Sequence, residues 1–469
     1  MEKTKGELLK EQLFNNAKDA TVVLSEEEMK KVFDFCEPYK KFMDAAKIEN
    51  EAVAVTVAML EEKGYKPFEA GKKYMPGEKF YYNNRGRALI FGTMGTRPIE
   101  KGVKILASHI DSPRLDLKPT PVFERDNIAQ LKTHYYGGVR KYQWVARELA
   151  LHGDIYKKDG SVVHVNIGED ENDPVFFISD LLPHLAKDQN TRTLKDGIKG
   201  EELNVWIGTM KFRDDKVSEK VKLNVLNILF EKYGIIEPDF FSAELTLVPA
   251  SKARDIGLDR SLIGAYGHDD RVCAYTSMMA ELDYTNENPE WTSVVVFADK
   301  EEVGSDSNTG LHSAFMEYFI ADLAAPYGVP VRTVLSNSKC LSADVSAAFD
   351  PTFPEVLERN NASYLNHGVS IMKYTGSGGK GGTNDCYAKF ASDVRRLLDN
   401  AGVIWQTGEL GKVDQGGGGT VAKFVSALDV DTIDIGVPVI AMHAPIEVVA
   451  KTDVYSTYRA FYEFLKAEL

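Results

Sequence analysis

Cysteine is scarce in this chain: Cys36, Cys273, Cys340 and Cys386 are the only four in 469 residues. They are widely spaced and form no C-x-x-C pair, so a disulfide framework is not expected and a reducing compartment fits best. Long apolar runs are missing too. No stretch reaches about 18 apolar residues, so no transmembrane helix is expected. The segment Met1 to Phe14 (MEKTKGELLKEQLF) has no apolar core of the kind a signal peptide needs. A cytoplasmic protein is the simple expectation. Positive charge is in deficit, with 56 Lys and Arg against 70 Asp and Glu and a net charge of −14. That argues against nucleic acid or an anionic membrane as the main partner. No long-period repeat is visible.

What is present suits a soluble globular protein, with 43% hydrophobic and 27% charged residues. The length suggests two domains, one inserted in the other. Residues 1 to about 65 read as helical, with apolar residues at helical spacing in Glu26 to Met43 and Asn50 to Lys63. The short apolar runs Ala88 to Gly92 and Val103 to Ser108 read as buried strands. From about Lys118 to Ala250 the texture changes. Leu149 to Tyr156 and Val162 to Ile167 alternate like antiparallel strands, Lys187 to Glu202 resembles a surface loop, Lys216 to Lys232 reads as a helix and Ala243 to Val248 as a strand. From about Arg254 helix and strand alternate again. Ser293 to Ala298, Arg332 to Ser336 and Pro438 to Met442 are candidate strands, and Val272 to Leu282 and Val454 to Leu465 candidate helices. The expectation is an α/β catalytic domain, residues 1–117 and 253–469, interrupted by a β-rich insertion, residues 118–252. Gly416 to Gly419 reads either as a flexible loop or as a substrate-facing turn.

Five short motifs carry groups that could do chemistry, most of them directly after a candidate strand, where open α/β sheets bind ligands. His109-Ile110-Asp111 pairs an imidazole with a carboxylate that could orient its ring. Gly267-His268-Asp269-Asp270-Arg271 opens a helical pattern, and alone its acidic pair reads as a helix cap and His268 as a loop histidine. Asp299-Lys300-Glu301-Glu302-Val303-Gly304-Ser305 holds adjacent glutamates. In extended backbone these would point opposite ways, one to a metal and one to water as general base, unless the pair is simply a solvated turn. Ser342-Ala343-Asp344-Val345 sets a lone aspartate among small and apolar residues, where it needs a partner or caps a helix. Met442-His443-Ala444-Pro445 holds one histidine, alone more often a satisfied core residue. Each motif is weak alone. Together they place two histidines and at least three carboxylates beyond strand ends, a mixed N/O set that suits zinc and a two-metal hydrolase.

The ordered set HIDSPRLDLKP, GHDDR, DKEEVGS, SADVS and MHAP resembles the aspartyl aminopeptidase (M18) family of zinc exopeptidases, from about residue 85 to 469. The resemblance implies an α/β/α metallo-exopeptidase catalytic domain with an inserted dimerisation domain. It implies two zinc ions per subunit, with cobalt or manganese as substitutes. His109, Asp269 and Asp344 would hold one ion and Asp269, Glu302 and His443 the other, with Asp269 as bridge. Glu301 would be the general base and Asp111 the orienter of His109. Members of the family lend a histidine across a dimer interface to the neighbouring site, and His184, in Pro174 to His184, is similar in position, an ordinary surface histidine being the competing reading. The implied activity is release of the first residue from short peptides with a free N-terminus, by a homodimer built into a larger oligomer such as a dodecamer. The rivals are another two-metal amidohydrolase, such as a dipeptidase or deacylase, and a non-catalytic assembly protein on the same fold. Eukaryotic members carry a substrate-facing histidine a few residues after the SAD motif. Here Asp344 to Ala348 has none, and Lys373 to Gly382 resembles the bacterial branch, so a preference for acidic first residues is not implied. Lys373 and Lys380 are left as candidates to face a substrate acid or merely to solvate a loop.

Overall fold

The computed structural model describes residues 3–15, 17–285 and 289–468. Its largest sheet has nine strands. At the centre Ser293–Ala298, Lys104–His109, Lys339–Ala343 and Asp431–Gly436 lie side by side and parallel. Antiparallel Ala88–Thr93 and Val369–Met372 flank them. Side chains alternate across a strand, and here the two sets feed two cores. Leu106, Val295, Phe297, Leu341 and Ile433 pack with residues of the helices Glu26–Ala45, His268–Tyr284 and Lys451–Lys466. Ile105, Ala107, Val294, Val296 and Cys340 pack with Phe315–Ala324 and Val331–Asn337. Covering on both faces is why Ser293–Ala298 (SVVVFA) and the middle of Lys104–His109 (KILASH) are continuous apolar runs rather than alternating ones. Each fully buried leucine, isoleucine, valine or phenylalanine among them contributes about 1.5–3 kcal/mol.

Between two adjacent strands of that sheet, Lys104–His109 and Ser293–Ala298, the chain leaves to build a second, antiparallel sheet of seven strands spanning Arg114 to Pro249. Glu148–Tyr156 also pairs with Ala243–Pro249, so six of these strands close into a ring around a separate core of Leu115, Trp144, Leu149, Val205 and Leu247. A third sheet of five short strands holds Leu262–Ala265 and Glu447–Ala450 at its centre. Pro438–Ile440 belongs to this small sheet.

One expected strand is a helix. Arg332 to Ser336 lies in Val331–Asn337, and the strand beside Lys104–His109 is Lys339–Ala343. A short run with one valine and one leucine is ambiguous between the two periods. The helix prevails because the adjacent Val334 and Leu335 both pack into the core while the residues on either side of them stay exposed or half-exposed. The helix expected from Lys216 starts at Lys220. Among the described residues no helix is long and apolar enough to cross a membrane.

Candidate metal centre

Three parallel strands end at the same rim. His109 is the last residue of its strand, Asp344 follows Lys339–Ala343 at once, and Ser293–Ala298 runs into the turn that carries Glu301 and Glu302. Two residues outside the large sheet meet them there. Asp269 stands at the start of His268–Tyr284, and His443 follows Pro438–Ile440 of the small sheet.

Each imidazole is fixed through one nitrogen, which aims the other inward. His109 Nδ1 lies 3.0 Å from the backbone carbonyl of Asp111 and 3.3 Å from its carboxylate. Its Nε2 then faces Asp269 Oδ1 at 3.1 Å, with Glu301 and Asp344 each 3.9 Å away. His443 Nδ1 lies 3.2 Å from the Gly138 carbonyl oxygen. Its Nε2 is 3.1 Å from Asp269 Oδ2 and 3.5 Å from Glu302 Oε2. Two groups of potential ligand atoms result, His109 with Asp269 and Asp344, and Asp269 with Glu302 and His443, each spanning no more than 4.8 Å. Asp269 is in both and turns one oxygen to each.

Two further carboxylates hold the frame. Asp111 is buried and accepts from the backbone N–H of Glu301 and of Glu302, both at 3.1 Å, and from the Tyr136 hydroxyl at 2.7 Å. Glu447 accepts from the backbone N–H of Asp269 at 2.9 Å and of His443 at 2.6 Å. Lys300 and His443 adopt left-handed backbone with φ of 65°, which costs a non-glycine residue about 1–2 kcal/mol each. The Asp111 and Glu447 hydrogen bonds hold the segments that carry this strain.

The electrostatics are lopsided. Asp269, Asp344, Glu301 and Glu302 converge, and among the described residues none of them pairs with a lysine or arginine. Burial pushes Glu301 up to about 7. It also raises Glu302 and Asp344 well above the carboxylate range, helped by the charges of Asp269 and Asp270 respectively. Burial opposes a charged His443, yet its contact with Asp269 outweighs that and carries it up to about 10. His109 is raised in the same way, contacts with Asp111 and Asp269 outweighing burial. Glu302 Oε1 is buried without a hydrogen-bond partner. Protons are held where positive charge is wanted, and a mixed set of imidazole nitrogens and carboxylate oxygens fits a divalent cation of the zinc type.

Other sequence candidates fall elsewhere. His268 is not a loop histidine, and its ring nitrogens meet Tyr39 and the Ile263 carbonyl rather than the cluster. It is buried with Nδ1 2.6 Å from the Tyr39 hydroxyl, and burial lowers it to about 3. Asp269 turns its carboxylate to the two imidazoles and both Asp270 oxygens are buried without a hydrogen-bond partner, so the pair does not cap the helix. His184 sits exposed on the turn Pro183–Leu185, with no hydrogen bond or ion pair to the cluster among the described residues. Lys380 pairs with Asp385 at 3.0 Å and lies over the Tyr374 ring, while Lys373 is exposed. The Gly416 to Gly419 tract packs on a neighbouring loop: a Cβ on Gly417 would meet the Gly376 carbonyl oxygen at 2.4 Å. Sequence reasoning missed Tyr136, Gly138 and Glu447. The available pointers were a Gly-Gly pair directly after an alternating strand, and an acid four residues beyond His443.

Known proteins match this chain along nearly all its length. The profile of the family described as aminopeptidase I zinc metalloprotease (M18) covers residues 42–465. A probable M18 family aminopeptidase 1 from Clostridium acetobutylicum is 47% identical over 468 residues, 98% of this chain and 99% of its own. The crystal structure of an M18 aminopeptidase from Thermotoga maritima superposes with a TM-score of 0.92 at 42% identity, covering 97% of this chain and all of that one. The S. cerevisiae mApe1 dodecamer, at 22% identity and a TM-score of 0.74, covers 92% of this chain and 96% of its own and shares the fold. A metal-ready cluster at the rim of such a sheet, in a chain so closely matched, places this protein in the M18 family of zinc metalloproteases as an aminopeptidase, and so a hydrolase.

Proposed function

We propose that the cluster is a two-metal centre and that the enzyme removes the N-terminal residue from short peptides. The observation that carries this reading is Asp269, whose two carboxylate oxygens each face a different imidazole Nε2 at 3.1 Å. One zinc ion would be held by His109, Asp269 and Asp344, the other by Asp269, Glu302 and His443, with cobalt or manganese able to substitute. Bound there, the pair would lower the pKa of a shared water and polarise the peptide carbonyl.

The chain's own groups supply the rest. Glu301 takes the proton of the attacking water and returns it to the leaving amine. Asp111 fixes the Glu301–Glu302 turn through both backbone N–H groups and orients His109. Residues 118–252 would form a dimerisation unit of a larger assembly, such as a dodecamer, through which the partner's His184 stabilises the developing oxyanion. In support, this third of the chain carries half of the exposed large apolar side chains among the described residues, including Phe177, Leu182, Leu185, Met210, Phe230 and Phe241. A contiguous patch of such side chains would be an interaction surface. The free, buried cysteines accord with a cytoplasmic enzyme.

The test is a peptide assay on zinc-loaded particles of known mass. Peptides with free N-termini should lose their first residue, acetylated peptides should survive, and a chelator should stop the reaction. The particle should be larger than one chain, and His184→Ala should lower turnover without loss of zinc. Cleavage of acetylated peptides, or full activity in a monomer, would contradict the reading.

A further inference from the structure

The geometry points to a positioning role in metal binding for the segment Tyr136-Gly137-Gly138, which leaves the second sheet and presses on the candidate metal centre from outside. This rests on the two-metal reading and adds to it that the second sheet, besides any part in assembly, completes the outer shell of both ions.

Three contacts carry it. The Tyr136 hydroxyl donates to Asp111 Oδ2 at 2.7 Å, and the same carboxylate orients His109 and anchors Glu301 and Glu302. The Gly138 carbonyl receives His443 Nδ1 at 3.2 Å, which selects Nε2 as the inward nitrogen. Gly137, at φ +71°, lets the backbone lie against Glu302: a Cβ there would stand 3.2 Å from Glu302 Cβ and 3.3 Å from Oε2. One tripeptide therefore touches the support of the first ion's histidine, a ligand of the second ion, and the histidine of the second ion.

The segment is itself held firmly. Tyr136 ends the strand Ile128–Tyr136 and pairs in register with Arg114. The Arg114 guanidinium lies over the Tyr136 ring at 3.9 Å and is tied to buried Glu49 at 2.5 Å. Tyr136 is 8% exposed. A carbonyl on the outer nitrogen of one imidazole, and a hydrogen-bonded carboxylate on that of the other, fix the ring orientation that metal binding needs, and loss of such support typically weakens metal binding about 10–100-fold.

The experiment measures zinc dissociation constants by chelator competition, and the melting temperature of metal-stripped protein, for wild type, Tyr136→Phe and Gly138→Ala. Gly138 lacks a left-handed φ, so alanine suits its backbone, but the new Cβ would lie 3.0 Å from His443 Nδ1. Wild type should bind two ions. Each variant should bind one of them at least about tenfold more weakly, with the melting temperature of the stripped protein unchanged. Unchanged dissociation constants in both variants overturn the inference. So does weakening that appears only together with a lower melting temperature of the stripped protein, which is general loosening. A wild type that holds fewer than two ions overturns the underlying reading and this one with it.

Discussion

Two histidines, His109 and His152, are each 1% exposed and each lie between carboxylates, yet their surroundings do opposite things. His152 Nδ1 meets Glu51 at 2.7 Å and its Nε2 meets Glu169 at 3.1 Å. Glu169 also takes Lys47 at 2.5 Å and Lys252. Burial works against an ionised Glu169, but His152 and Lys47 outweigh it and hold its pKa at about 2. That cluster joins the helix Glu49–Glu62 to the second sheet with its charges matched. Around His109 and its neighbour His443 the carboxylates of Asp269, Asp344, Glu301 and Glu302 converge with no lysine or arginine ion pair among the described residues, and three of them are pushed upward. Burial beside acids is common to both. Uncompensated negative charge is not, and it is this that sets the candidate metal centre apart from a structural ion network.

The sharpest way to break the comparison is to remove one carboxylate from the unmatched side. Glu301→Gln should keep its metals and lose turnover by about 10²–10⁴-fold, the usual worth of a general base. Near-normal kcat in metal-loaded mutant would remove Glu301 from that role. A smaller and different effect is expected on the matched side. His152→Gln should leave metal content and kcat unchanged and cost on the order of 1–3 kcal/mol of stability, as for a buried polar group that loses charged partners. Burial opposes protonation of His152, and its contacts with Glu169 and Glu51 raise its pKa in spite of that. The stability it contributes is therefore complete below about pH 6.5 and is lost as the pH rises through the raised folded value. The melting-temperature gap between wild type and His152→Gln should shrink as the pH rises above about 6.5. A gap that stays constant, or loss of metal in this variant, would erase the distinction between the two clusters.

The five motifs read from the sequence supply all the residues in the two ligand groups, because strand-end chemistry leaves local marks: an apolar run, then a polar group with no solvent-side excuse. Arg332 to Ser336 was illegible because five residues do not separate a strand from a buried helical turn. His443 is expected just after a strand at Pro438 to Met442, but that Pro438–Ile440 pairs in the small sheet and not the large one is a matter of partner choice that sequence spacing does not encode. Tyr136, Gly138 and Glu447 act through a hydroxyl, a backbone carbonyl and a carboxylate that clamps two N–H groups. None of those functions demands a recognisable motif, so the outer frame of the centre emerges only once the chain is folded.

The central claim is that Asp269 bridges two ions. Anomalous scattering from zinc-soaked crystals tests it most directly. The account predicts two peaks per chain about 3.5–4 Å apart, one beside His109 and one beside His443 with Asp269 between them, and loss of both in Asp269→Asn. A single peak in fully active enzyme, or two peaks that survive Asp269→Asn, would contradict it.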